Sequence, residues 1–314
     1  MSVSNMKMPD IKWNTKRQID LTREDKVLNA FNMVIMVLVF ILTVYPFYYV
    51  LVMSFNDGYD AMAGGIYLWP RKFSLENYSE FLTDQKWIAA IFVSISRTLL
   101  GTVLGVFFTC LVAYAMSFED LKLRKVYYGI MIVCMYFSGG LIPYYLVIRE
   151  LGLLNTFWVY VIPGMFSIYN MILAISFFQS MPKTLYESAY LDGANDLLIY
   201  VRIVLPLSKP LLATLALFVA VGQWNSWMDT AFYCTGQNDL RTLAFLLRDV
   251  IVSNETGAMR MQSMTSVAAG KMKPTTSRSI QMAAMIVSVL PILCVYPFLQ
   301  KYFVSGIMLG AVKG

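Results

Sequence analysis

The chain has 314 residues, 58% of them hydrophobic, 15% aromatic and only 14% charged, with a mean hydropathy of +0.60. Soluble domains carry about 25% charged and 45 to 50% apolar residues, so this apolar excess points to a bilayer as solvent. The absence of histidine excludes His-based dyads, triads and zinc sites, and the formal charge of +6 sits in the connections between apolar runs, a pattern of membrane topology rather than of nucleic-acid binding.

The chain opens on a 26-residue tail that mixes six bases with Asp10, Asp20, Glu24 and Asp25. The tail is too long and acidic for a signal-peptide n-region, and the run behind it far exceeds a signal h-region, so that run is read as an uncleaved helix. A helix needs about 20 residues to cross about 30 Å of hydrocarbon. Six runs qualify, at 27–54, 88–116, 126–148, 157–179, 210–232 and 280–303. Each is apolar on all faces, whereas barrel strands alternate with a period of two. The expected fold class is all-α integral membrane: six transmembrane helices in one domain over 27–314, behind the cytoplasmic tail 1–26.

Between the first two runs, an outer loop at 55–87 carries turn signals at Asn56-Asp57-Gly58, Gly64-Gly65 and Trp69-Pro70, then a more helical stretch around Asn77-Tyr78. The second run holds Arg97, with Ser94 and Ser96 close by; the guanidinium either neutralises Asp229, meets a substrate carboxylate or snorkels outward. Gly101 and Gly105 form a GxxxG that permits close helix contact, with a second subunit or within this one. Lys122, Arg124 and Lys125 crowd the 117–125 connection. Pro163 and Pro291 fall inside the fourth and sixth runs, where they are expected to kink helices. Cys110, Cys134, Cys234 and Cys294 show no CxxC spacing and read as packing residues.

The fifth run contains Gln223-Trp224-Asn225-Ser226-Trp227-Met228-Asp229. On a continuous helix Asn225 and Asp229 share a face, as do Gln223 and Trp227. Sugars are held by amide and carboxylate hydrogen bonds and by aromatic rings. Gln223, Trp224, Asn225, Trp227 and Asp229, with Arg97, are therefore candidate substrate-pathway residues. The alternative is an interfacial belt of tryptophans with Asp229 in water. In the second outer loop, 233–279, Leu240, Leu243, Ala244, Leu247, Val250 and Ile251 recur at helical spacing with Arg241, Arg248 and Asp249 off the stripe, predicting an amphipathic helix on the outer surface. Six crossings put both termini on one side. The short 117–125 loop decides which, because the positive-inside rule weights short loops most, and both termini are read as cytoplasmic.

The 180–209 segment is the most informative. Pro182 suits a helix start, residues 183 to 192 make about three turns, and Gly193 supplies the backbone angles of a sharp bend before a second helix runs to Pro206. Glu187, Ala189, Gly193, Ile203, Leu205 and Pro206 follow the pattern Glu-Ala-Ala, three residues, Gly, nine residues, Ile, one residue, Leu-Pro, with Ser188 for the middle Ala as the sole departure. This resembles the EAA loop of permease subunits in binding-protein-dependent ABC importers. Arg97-Thr98-Leu99-Leu100-Gly101-Thr102, Phe137-Ser138-Gly139-Gly140-Leu141-Ile142-Pro143 and Leu151-Gly152-Leu153-Leu154-Asn155-Thr156 look like the MalG-like carbohydrate branch, and closest to its LplC-type subgroup of oligosaccharide importers.

The resemblance implies that Glu187, Ser188, Ala189, Asp192, Gly193, Ile203, Leu205 and Pro206 couple the spans to a cytosolic ATPase. It also implies four partners: a second, non-identical permease, two ATPase subunits and an extracytoplasmic sugar-binding protein. No Gly-x-x-x-x-Gly-Lys-Ser/Thr phosphate loop is present, Gly270-Lys271 being followed by Met272. ATP and magnesium are accordingly expected on the ATPase subunits, with no catalytic or metal site and no bound cofactor in this chain. The rival readings are an importer permease for amino acids or peptides, and an ion-coupled carrier. Such a carrier usually needs carboxylates or His as midplane ion sites, whereas Arg97, Asp229 and, near the end of the last run, Lys301 are the charges within these runs.

Overall fold

The computed structural model describes residues 23–255 and 275–311; the expectations for most of the tail and for 256–274 lie outside the described residues. The chain divides into two compact units, 1–49 and 50–314. The first is described through α1 (Arg23–Ser54), 32 residues with Pro46 inside. Its side chains are apolar and exposed on every face, Phe40 at 64% and Leu42 at 66% among them, as suits a helix solvated by lipid.

The second unit takes in the end of α1 and then two short helices. α2 (Gly58–Ala63) starts where the Asp57 carboxylate accepts the Tyr59 and Asp60 amides at 3.0 and 3.1 Å, an ordinary N-cap. α3 (Glu76–Thr83) follows. The intervening loop is pinned by an isolated Asn56–Phe73 bridge and by the Asn77 amide, which donates to the Ser54 and Asn56 carbonyls at 3.0 and 2.8 Å. The Asn56 amide, then Arg71 at 3.1 Å, hold the Asp60 carboxyl below the usual carboxylate range.

α4 (Gln85–Ser117) is the central post, packing on four other helices and on two 3₁₀ turns. α5 (Arg124–Tyr136) and α6 (Leu141–Glu150) meet at 115°. Gly140, at φ 87°, breaks the run there, because a glycine in that region ends a helix at little cost. A 3₁₀ turn over Phe157–Tyr160 precedes α7 (Ile168–Gln179). Pro163 therefore lies in the connection rather than kinking a helix, a correction with a simple cause: with no N–H to donate, Pro163 beside Gly164 stops the helix instead of bending it.

α8 (Lys183–Leu191) and α9 (Asp196–Ile199) form the turn between spans. A π turn at Tyr200–Val204 leads to α10 (Leu205–Leu207). Pro206 offers no N–H to the Arg202 carbonyl, and the Leu205 amide reaches back five residues to Tyr200, the wider turn typical of such a mismatch. The chain then bends by 82° into α11 (Lys209–Asn225). α12 (Met228–Tyr233), α13 (Leu243–Glu255) and α14 (Ser277–Ala311) complete the unit.

The runs at 27–54, 88–116 and 280–303 thus appear as long helices, that at 126–148 as a bent pair, that at 157–179 as a 3₁₀ turn and one short apolar helix, and that at 210–232 as α11 and α12. The amphipathic expectation for 240–251 holds in α13, which packs on α4 and α14 through Leu243 and Leu246 beside Phe81, Trp87 and Ala284. The GxxxG faces inward. A Cβ on Gly101 meets the Gln223 side chain, and one on Gly105 meets Val219 at 3.4 Å, so these glycines serve the α4–α11 contact within this chain.

Candidate functional site

Two sites emerge, one on the 180–209 turn and one where α11 ends. In the first, Pro182 precedes α8 and Gly193 follows it at φ 78°. The Ala194 amide returns to the Ala189 carbonyl and that of Gly193 to Tyr190, both at 3.0 Å, which closes the helix with a left-handed glycine. Asn195 Oδ1 accepts the Leu198 amide at 2.8 Å and starts α9. The Tyr190 hydroxyl donates to the Asp196 carboxylate across the bend, and that bond pushes the phenol up to about 12.

The outward face of this turn carries Glu187, Ser188, Asp192 and Gly193, all exposed, with Leu191 at 89%. An acid at Asp192 opposes the helix dipole, so its placement serves something other than α8. Pro206 is also exposed, while Ile203 and Leu205 are half-buried against the core. Ala189 faces the other way. It is 6% exposed and packs into the chain's own core with Ile175, Phe178 and Ile199, so its small size seats α8 on this subunit rather than admitting a neighbour. Lys183 donates to Glu119 at 2.9 Å, tying the turn to the 117–125 connection. A cavity of about 300 Å³ between those segments is lined by Phe118, Tyr186 and Glu187 among others.

The second site is built around Arg97, 1% exposed on α4. Its guanidinium donates from Nε and Nη2 to Gln223 Oε1 at 3.0 and 2.8 Å, from Nη1 to the Ser226 carbonyl at 3.2 Å, and from Nη2 to Asp229 Oδ2 at 2.7 Å. It also lies 4.5 Å from the centre of the Tyr160 ring. The Ser226 hydroxyl donates to the same Asp229 oxygen at 2.7 Å, and Gln223 Nε2 donates to the Tyr160 carbonyl at 3.1 Å. Tyr160 continues the network to Thr230 and the Leu240 carbonyl, and Thr230 to Thr242.

Of the three options for Arg97, this geometry has the pairing with Asp229: the guanidinium is enclosed and bonded to that carboxylate. Two further expectations are corrected. α11 ends at Asn225 and Ser226 has ψ 120°, so the shared faces of Asn225 with Asp229, and of Gln223 with Trp227, do not exist. The physical reason is that Arg97 captures the Ser226 carbonyl, and the chain turns to bring Asp229 to it. Asn225 itself is exposed. Neither tryptophan is a bare platform: Trp224 Nε1 donates to the Ser288 carbonyl at 3.0 Å, and Arg248 covers the Trp227 ring at 3.8 Å. Tyr160, Ser226, Thr230 and Thr242 were not among the candidates. Their bonds join residues up to 129 positions apart, and no local pattern announces such partners.

Residues 24–309 match the family model described as the inner membrane component of binding-protein-dependent transport systems. The chain is 35% identical over 295 residues to protein LplC of Bacillus subtilis, covering 93% of this chain and 97% of that one. It is 37% identical over 276 residues to the polygalacturonan/rhamnogalacturonan transport system permease protein YtcP of the same organism, covering 87% and 94%. Among solved structures, a bacterial ABC transporter involved in the import of the acidic polysaccharide alginate superposes with a TM-score of 0.79 at 28% identity, covering 90% of this chain and 98% of that one.

Proposed function

The chain belongs to the family of binding-protein-dependent transport system inner membrane components, and from that premise we propose that it is a permease subunit of an ABC importer for an oligosaccharide. It lies in the cytoplasmic membrane as a multi-pass protein with both termini in the cytoplasm. The observation that carries the reading is α8 with the bend that ends it, which present Glu187, Leu191 and Asp192 to solvent, the bend being fixed by Gly193. A short helix with an anionic exposed face, anchored on its other side by Ala189, suits docking in a groove of an ATPase subunit whose closure it passes to the spans. Ile203, Leu205 and Pro206 hold the angle between that turn and α11.

The working assembly comprises this chain, a second and non-identical permease, two ATPase subunits that bind ATP and magnesium, and an extracytoplasmic binding protein. The chain performs no hydrolysis of its own. Oligosaccharide as the cargo class follows the names of the relatives, together with a polar rim at the end of α11 that offers hydroxyl-binding groups. The test is reconstitution of the full assembly in liposomes, with trigalacturonate and its fully methyl-esterified form as probes. Uptake of at least one, strictly dependent on ATP at the α8 side and on the binding protein, is expected. Probe-stimulated ATP hydrolysis by this subunit purified alone overturns the reading.

A further inference from the structure

Asp229 is used on one side only. Its Oδ2 accepts from Arg97 and Ser226, no hydrogen bond to Oδ1 is formed among the described residues, and the side chain is 31% exposed. Across from it stands α6, which packs on α12. Tyr144 of α6 is 46% exposed, its ring 6.0 Å from that of Tyr233, which Tyr145 stacks at 6.2 Å. Asp229 and Tyr233 are four residues apart on α12 and so share a face, the face beside which the Tyr144 ring stands. A half-exposed aromatic face, backed by two further rings and set beside a carboxylate oxygen with open acceptor capacity, is the pairing that recognises a sugar ring: carbon-bound hydrogens on the aromatic, hydroxyls on the oxygen.

We infer that Tyr144 and Asp229 form a sugar subsite that takes an uncharged pyranose unit, with Arg97 as the positioning residue that holds the carboxylate in place. This deepens the importer reading and rests on it. The selectivity follows from charge and access. Arg97 is enclosed and fully engaged with Asp229, so a uronate meets the outer edge of a carboxylate and no reachable cation. An uncharged unit meets the same oxygen as a hydrogen-bond acceptor. Trp224 and Trp227, bonded and covered as they are, take no part.

The experiment uses the full assembly in liposomes and the same two probes, trigalacturonate and its methyl ester, which share a ring skeleton and differ in charge. Tyr144→Ala is expected to raise the half-saturating concentration of the ester about tenfold, and Tyr144→Phe, which keeps the ring, to restore it. Asp229→Asn removes the anion and uncovers the Arg97 charge, so the preference for ester over acid should fall by tenfold or more. In parallel, Tyr144→Cys with Cys134 and Cys294 replaced by Ser is probed with a water-soluble thiol reagent. Labelling that the ester slows supports the subsite.

Failure of the Tyr144→Cys variant to label, labelling unaffected by the ester, or unchanged ester kinetics in Tyr144→Ala overturns it. A wild-type assembly that imports neither probe fails the cargo reading, an outcome separate from normal import that ignores Tyr144 and fails only the subsite.

Discussion

A guanidinium enclosed among membrane helices is tolerable only when its charge and its donors are met, and Arg97 engages Gln223, Ser226, Asp229 and the Tyr160 ring together. Removing the carboxylate leaves a buried cation without a counter-ion, which costs about 3 to 5 kcal/mol for enclosed pairs. Asp229→Ala should fall at the low end, because water reaches the Asp229 side chain. Arg97→Met combined with Asp229→Ala should lose less than the two single changes added, since neither charge is then orphaned. Thermal unfolding of the four proteins in one detergent measures the coupling, and strict additivity would show that the pair is idle.

Gly101 tests the same hub from behind. A Cβ there lies 2.7 Å from Gln223 Nε2 and 2.8 Å from its Cδ, and such overpacking costs about 1 to 3 kcal/mol. Gly105→Ala meets Val219 at 3.4 Å and the Gly164 carbonyl at 3.7 Å, ordinary contacts, and gains about 1 kcal/mol of helix propensity. Gly101→Ala should therefore be the destabilised variant of the two.

At the scale of elements, the turn of α8 and α9 depends on one backbone angle. Gly193 sits at φ 78° with nothing within 4 Å of a built Cβ, so any substitution there acts through backbone strain of about 1 to 2 kcal/mol, with no clash to relieve. Gly193→Asn should be tolerated better than Gly193→Asp, which adds a second charge beside Asp192. Glu187→Lys reverses the charge on the exposed face of α8. Both Gly193→Asp and Glu187→Lys should insert normally yet cut uptake per transporter. Wild-type uptake by both at equal abundance contradicts the docking role.

The brace from Lys183 to Glu119 has a definite pH window. Its bond to Lys183 lowers the Glu119 carboxyl, so that contribution is present above the ordinary carboxylate range and is lost as pH falls through the lowered value. Glu119 raises Lys183, whose contribution is full below the ordinary lysine range and is lost as pH rises through the raised value. Across neutral pH the brace is intact, and Lys183→Gln should leave a flat pH profile of uptake there.

This turn was legible in the sequence because its signals are local: proline at the start, glycine at the bend, small and charged residues at fixed spacing. The breaks were not. The 157–179 run reads as one apolar stretch, and hydropathy does not register that Pro163-Gly164 interrupts it. The end of α11 was missed for a different reason: the group that stops the helix is Arg97, on α4.

At the scale of the molecule, the membrane orientation joins these parts. The bond between Lys183 and Glu119 puts the 117–125 connection and the α8 turn on the same side of the bilayer, the side proposed, from the basic cluster Lys122, Arg124 and Lys125, to be the cytoplasm. α4 then carries the chain to the opposite face, about 50 Å away at 1.5 Å per residue, where Gln85 meets the folded outer segment of α2 and α3. Arg97 lies 12 residues from the Gln85 end, about 18 Å along the helix, so on the proposed orientation the hub and the break after α11 belong to the outer half of the membrane.

Thiol labelling checks this arrangement directly. Lys72 and Lys122 are both exposed, on the outer segment and on the basic connection. Of the native cysteines, Cys134 and Cys294 are exposed and would be replaced by Ser, while Cys110 and Cys234 are buried. In intact cells a membrane-impermeant maleimide should modify Lys72→Cys and spare Lys122→Cys, which should react only after permeabilisation. The reverse result would place the α8 turn outside the cell, away from any ATPase, and would remove the physical basis for coupling as well as the assignment of the hub to the entry side.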